Sequence, residues 1–256
     1  MIDSHSHIYT EEFDEDRPEV IERAKLSGVS KMILPNIDAA SLQRMLKTEA
    51  CYPGYCYAAI GLHPTSVNES YNQELELIKK ELERRSYVAI GEIGIDLYWD
   101  KRFLNEQITV FRKQLEWALE YNLPVIIHVR DSFDETMKVM NEFAGKGLTG
   151  VFHSFTGSIG DAVQIINFGG FYMGINGILT FKNSGLPAVV EQIGIEHLLL
   201  ETDAPYLTPA PYRGKRNESA YLAFICKKMA SIFGISEKET EEITTRNVNS
   251  LFKKIV

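Results

Sequence analysis

Apolar positions along the 256-residue chain follow two alternating rhythms. Short apolar runs, rich in β-branched and aromatic residues and bounded by Gly, Pro or Asn, read as strands at 30–36, 55–64, 87–96, 124–131, 150–157, 171–178 and 197–205. The opening MIDSHSH (1–7) has the same length and makes an eighth. Between the runs lie longer segments with helical spacing. Residues 15–28 place Val20, Ile21, Ala24 and Leu26 roughly on one side, with Pro18 near the start and Gly28 past the end. Residues 105–122 place Ile108, Phe111, Leu115, Ala118 and Leu119 on one face, with Asn105 in a capping position. Residues 131–145 and 158–170 repeat the pattern, and the tail from about Glu218 reads as two helices split near GISEKE.

Eight strand–helix units predict parallel strands joined by right-handed crossovers. In a chain of this length they predict one (β/α)8 TIM barrel domain over residues 1–256. An open doubly wound sheet would carry a Gly-rich phosphate loop after its first strand, and none is present. No linker, low-complexity stretch or second domain interrupts the pattern.

Composition narrows the partners. The formal net charge is −8, with 27 Lys and Arg against 35 Asp and Glu. A protein that grips long duplex by neutralising many phosphates is usually basic, so an anionic substrate must be met locally or through metal ions. Three cysteines (Cys51, Cys56 and Cys226) have no metal-type spacing and predict no disulfide framework, which suits a reducing compartment. No stretch approaches the ~18 apolar residues of a membrane span. No signal peptide is visible. The expectation is a cytoplasmic protein with no membrane contact and no obligate protein partner.

Chemistry concentrates at one edge of this pattern. Of the six histidines, His5, His7, His63, His128 and His153 lie in the later halves of predicted strands, joined by Glu92, Glu201 and Asp203. In a barrel those ends converge on one face; His197 alone would face the other end. A single strand histidine is usually a hydrogen-bonded core residue, but a buried unpaired carboxylate is costly. A crowd of such groups is tolerable where divalent cations neutralise it. Strand residues alternate with period two, so His5 and His7 share a side and can hold one ion at ~2.0–2.2 Å. The six candidate ligands are His5, His7, Glu92, His128, His153 and Asp203, more than the four that tetrahedral zinc needs. They suit two ions bridged by Glu92: His5, His7, Glu92 and Asp203 on one, and Glu92, His128 and His153 on the other.

The collinear segments DSHSH (3–7), GLHP (61–64), GEIGIDLYW (91–99), PVIIHVRD (124–131), VFHSFTG (151–157), LETDAPYLTP (200–209) and RGKRNE (213–218) together resemble the TatD family of metal-dependent deoxyribonucleases, within the amidohydrolase superfamily. The resemblance implies a (β/α)8 barrel, two divalent ions (zinc, manganese or magnesium) and hydrolysis of DNA phosphodiesters. It implies the same six ligands, with Glu92 in place of the modified lysine that bridges the metals in many relatives of the superfamily.

On this reading Asp203 orients and deprotonates water. Glu201, two residues earlier on the same side, fixes a ligating imidazole. His63 either serves the phosphate or leaving oxygen, or hydrogen-bonds its own loop. Arg130 either holds a phosphate or pairs with Asp131 or Asp96. Arg213, Lys215 and Arg216, the densest basic cluster, are expected to grip phosphate from a loop over the site. Tyr98 and Trp99 either stack a base or wall the pocket. So little positive charge predicts contact with few nucleotides, hence an exonuclease or short-substrate nuclease acting on single-stranded or short DNA ends; the family resemblance implies the 3′–5′ exonuclease type. The competing readings are a metal-dependent lactone, amide or phosphomonoester hydrolase, and a metal-stabilised binding protein without catalysis.

Overall fold

A computed structural model describes residues 1–255. Its strands are β1 (Ile2–Asp3), β2 (Lys31–Pro35), β3 (Cys56–Ala59), β4 (Ile90–Asp96), β5 (Val125–Arg130), β6 (Gly150–Phe152), β7 (Phe171–Ile175) and β8 (Leu198–Leu200). The helices are α1 (Arg17–Leu26), α2 (Ala39–Cys51), α3 (Tyr71–Arg84), α4 (Leu104–Tyr121), α5 (Phe133–Asn141), α6 (Ile159–Phe168), α7 (Leu186–Ile193), α8 (Leu222–Phe233) and α9 (Glu237–Leu251). All strand pairs are parallel, in the order β1-β2-β3 and β4-β5-β6-β7-β8. Backbone bonds cross both gaps between these groups. Val88 N and Gly91 N donate to Ala58 O and Ile60 O, while Ser4 N donates to Leu200 O and Asp203 N to His5 O. The eight strands thus close on themselves as the expected barrel.

Local sequence sets the helix ends. Asp38 and Ser41 cap α2 reciprocally, as Ser158 and Asp161 cap α6. Helix α4 stops where Asn122 turns left-handed at φ +50°. Two expectations fail here. Asn105 lies inside α4, which starts at Leu104. Leu26 is 88% exposed, because α1 buries Val20, Ile21 and Ala24 and helical spacing puts Leu26 on the opposite face.

Apolar side chains separate into two layers. A large cluster lies between strands and helices and includes Met32, Leu34, Ile60, Val125, Ile127, Leu198 and Leu200. A second cluster holds the alternate positions Ile2, Ile33, Ala59, Ile126, Val151 and Leu199, packed on Val248, Leu251, Phe252 and Ile255. The end of α9 thereby plugs the barrel at the amino ends of the strands. Period two then carries each inward column upward: Ile126 leads to His128 and Arg130, Val151 to His153, and Leu199 to Glu201 and Asp203. Each column changes from apolar to ionisable along its length, which places the chemistry at the carboxyl ends.

The strands are shorter than the apolar runs suggest, since several runs continue into the loops that bear functional groups. His5, His7, His63, His153 and Asp203 all lie just past strand ends, and only Glu92 and His128 lie within strands. Strand β1 is regular for two residues only, so strict alternation does not govern His5 and His7. Bonds from Ser6 N to Ile33 O and from His7 N to Ala204 O hold that segment instead. No helix among the described residues is long and apolar enough to cross a membrane. All three cysteines are free.

Candidate metal centre

The side chains of His5, His7, Glu92, His153 and Asp203 converge at the barrel's upper mouth, all buried, and His63 and His128 join them partly buried. The Nε2 atoms of His5 and His7 face each other at 3.1 Å. They lie 3.1 and 3.6 Å from Glu92 Oε2, and 3.8 and 3.7 Å from Asp203 Oδ1. The other Glu92 oxygen turns to a second group. Oε1 lies 2.8 Å from His128 Nδ1 and 3.2 Å from His63 Nε2, and those two nitrogens are 3.2 Å apart. Glu92 therefore shares its two oxygens between two sets of donors, as a bridging carboxylate must.

The partition differs from expectation in one respect. The His153 ring stacks on His5 with centroids 3.4 Å apart, and its Nε2 lies 3.8 Å from both Glu92 Oε1 and Asp203 Oδ1. It stands between the groups, 6.5 Å from the His128 ring. The place beside His128 belongs to His63, whose Nδ1 is engaged by Thr65 at 2.7 Å so that Nε2 alone faces the cluster.

The donor set suits divalent ions. Glu92, Glu201 and Asp203 are buried, and among the described residues no Lys or Arg forms an ion pair with any of them. Among the described residues their only counter-groups are imidazoles, and His5 Nδ1, His153 Nδ1 and Glu201 Oε2 are buried without a well-aligned hydrogen-bond partner. Opposed imidazole nitrogens at 3.1 Å cannot both carry protons, so at least one of them presents a lone pair. Nitrogen and carboxylate donors from these residues lie within 4.8 Å of one another in three overlapping groups.

Electrostatics push the groups apart. Burial pushes the Asp203 carboxyl up to about 6 despite the nearby His153 and His7. Burial works the same way on Glu92, yet His63, His5 and His153 together hold it well below the usual carboxylate range. Burial, reinforced by His153, keeps His5 well below an ordinary histidine. Burial also opposes protonation of His153, but Glu201, Glu92 and Asp203 outweigh it and raise the group to about 10. Three non-glycine residues beside the cluster, Asp131, Ser154 and Asp203, are left-handed at φ +54°, +50° and +58°. Chain reversals immediately beyond the strands force this.

Supporting carboxylates orient two of the imidazoles. Glu201 Oε1 lies 2.9 Å from His153 Nδ1 and accepts from Ser154 N at 2.7 Å. Gly174 on β7 makes its room, since a Cβ there would sit 2.0 Å from Glu201 Oε2. Asp96, which the sequence reading left as a mere ion-pair option for Arg130, does the same for His128: Oδ2 lies 2.8 Å from Nε2, leaving Nδ1 to the cluster. The signal was present, because Asp96 follows Glu92 on the same strand. Tyr9 was also missed. Its hydroxyl donates to Pro35 O at 2.6 Å and lies 2.9 Å from His7 Nδ1.

The basic residues disperse. Among the described residues Arg130 forms no ion pair, and its guanidinium lies 3.7 Å over the Tyr98 ring. Arg213 covers Phe181 at 3.7 Å, Lys215 lies near Tyr212, and both are exposed. Arg216 departs from the expected basic lip: both terminal nitrogens bind Asp16, at 2.8 and 2.7 Å, and its guanidinium packs 4.5 Å over Phe13. The ion pair with the start of α1 ties it to the barrel wall.

A closed parallel barrel whose upper mouth gathers histidines around a shared carboxylate defines the class of metal-dependent hydrolases. The chain belongs to the TatD family: the family model described as TatD related DNase matches residues 2–253. It is 38% identical over 254 residues to the uncharacterized metal-dependent hydrolase YabD of Bacillus subtilis, covering 99% of both chains. It is 30% identical over 259 residues to the 3′-5′ ssDNA/RNA exonuclease TatD of Pectobacterium parmentieri, again covering 99% of both. The crystal structure of YJJV, a TatD homologue from Escherichia coli K12, superposes with a TM-score of 0.92 at 31% identity, covering 99% of this chain and 98% of that one.

Proposed function

We propose that the chain is a two-metal nuclease that removes nucleotides from the 3′ ends of single-stranded or short DNA. The observation that carries this reading is Glu92, whose two oxygens each face a separate set of imidazole nitrogens. His5, His7, Asp203 and Glu92 would hold one ion and Glu92, His128 and His63 the other, with His153 within reach of both groups. When bound, such ions supply Lewis-acid polarisation of a phosphoryl oxygen and acidify water to ~7. The Asp203 carboxylate, beside the imidazoles of His5 and His7, orients the attacking water and takes its proton. Glu201 and Asp96 fix the ring directions of His153 and His128, so that His153 Nε2 and His128 Nδ1 face the cluster. Arg213 and Lys215, exposed and without an ion-pair partner among the described residues, receive the phosphates of the strand.

The relative named an ssDNA/RNA exonuclease supports the substrate class. Acidic net charge supports contact with few nucleotides.

The test is metal analysis of the purified protein, then assay with each metal restored on 3′- and 5′-labelled single-stranded oligonucleotides beside ester and amide substrates. Expected are about two ions per chain, stepwise loss from the 3′ end, and a kcat at least 100-fold lower in Asp203→Asn that still holds metal. Turnover of an ester or amide with no oligonucleotide cleaved under any metal would overturn the assignment.

A further inference from the structure

Most large apolar side chains of the described residues are buried, and three of the exposed exceptions are aromatic: Trp99 at 70%, Tyr98 at 53% and Tyr206 at 51%. Tyr98 and Trp99 are adjacent, on the loop that leaves β4 at the upper mouth. Their rings meet edge to face, with centroids 4.9 Å apart and planes at 89°. The Arg130 guanidinium lies 3.7 Å from the Tyr98 centroid and 5.4 Å from that of Trp99.

The loop beneath them is held in place. Asp96 Oδ1 accepts from Tyr98 N at 3.0 Å and Trp99 N at 3.3 Å, while its Oδ2 faces His128 Nε2. The Gln107 side chain bonds both the amide and the carbonyl of Asp96. One carboxylate therefore spans from a metal-facing imidazole to the backbone of the aromatic pair. Tyr98 packs between Arg130 and Trp99, whereas Trp99 stays 70% exposed on a loop held in place from below.

We propose that Trp99 and Tyr98, with Arg130, form a stacking subsite for one base of an unpaired nucleic-acid strand, next to the phosphodiester at the metal centre. This deepens the nuclease reading and rests on it. Trp99 offers a flat exposed face to the base. Arg130, its own face covered by Tyr98 and in no ion pair among the described residues, receives the adjoining phosphate. A chain of net charge −8 holds a polyanion poorly through general attraction, so stacking supplies the grip, and it tolerates any base. Duplex ends, whose bases are already stacked on each other, fit this subsite poorly.

The experiment uses the metal-loaded protein, a five-residue thymidine oligonucleotide, and versions of it with one abasic residue moved along the strand. Trp99→Ala should raise KM about ten-fold, within the range expected for one base–aromatic stack, with the loss on KM rather than kcat. Trp99→Tyr should recover most of it. One abasic position should raise the KM of the unaltered protein by a similar factor and add nothing in Trp99→Ala. In chelator, where no turnover occurs, the oligonucleotide should quench Trp99 emission; Trp117, the other tryptophan, is buried. Cleavage with unchanged KM in Trp99→Ala and a flat abasic scan would overturn the subsite while leaving the nuclease intact. Quenching without cleavage under any metal would sink the nuclease and keep the binding site, whereas no quenching and no cleavage would remove both.

Discussion

Replacing Gly174 by alanine tests the buried support beneath His153. The added Cβ would lie 2.0 Å from Glu201 Oε2, 2.5 Å from its Cδ and 2.9 Å from Oε1. The carboxylate is the far end of a flexible side chain, but it is fully buried and pinned by Ser154 N at 2.7 Å and His153 Nδ1 at 2.9 Å. It has nowhere to retreat without loosening those contacts. Overpacking costs ~1–3 kcal/mol, and weakening one charge-assisted hydrogen bond adds ~1.5–3 kcal/mol. A loss of about 3 kcal/mol at ~2–4 °C per kcal/mol lowers Tm by roughly 6–12 °C. With the imidazole no longer fixed, metal affinity should fall ~10–100-fold. Thermal unfolding by circular dichroism and metal content by mass spectrometry read the two effects. Gly185→Ala is the control, since nothing lies within 4 Å of its Cβ and its φ is −78°. A Tm for Gly174→Ala within about 2 °C of the parent, with metal content unchanged, would refute the claim that Glu201 is held rigidly.

Four further outcomes are expected. Chelation should lower Tm by several degrees, regained on adding metal, because an ion at ~100 times its Kd contributes ~2.7 kcal/mol. Asp96→Asn should keep the fold by circular dichroism yet weaken metal binding ~10–100-fold by calorimetry, as the partner of His128 Nε2 changes. Arg216→Ala should lower Tm through loss of the Asp16 pair and the Phe13 contact and leave oligonucleotide KM nearly unchanged, whereas Arg213→Ala should raise KM without lowering Tm. Thiol titration at pH 8 should find one fast group, exposed Cys51; burial pushes Cys56 up to about 12 and Cys226 up to about 11, so both should react only after unfolding.

The gathering of His5, His7, Glu92, His128, His153 and Asp203 was legible because each interrupts or directly follows an apolar run, where an ionisable group is conspicuous. Strand limits were not legible: in GLHP, FTG and TDAP, apolar or small residues continue past the last ladder bond, and hydrophobicity does not report hydrogen bonding. The role of His63 was undecided because its ring direction depends on Thr65 two residues on, a contact that no periodicity reveals. Arg216 shows the limit of reading charge clusters. Its partner, Asp16, is 200 positions away and is brought near only by barrel closure.

That closure joins the two extremes of the cluster, since Asp203 N donates to His5 O and His7 N to Ala204 O. A growing polypeptide displays its first two imidazoles almost at once, but the acid opposite them is the last donor to be synthesised. Nascent intermediates can therefore offer a cation only incomplete chelation. A donor set drawn from both ends of the chain would be complete only once the eighth strand is seated beside the first.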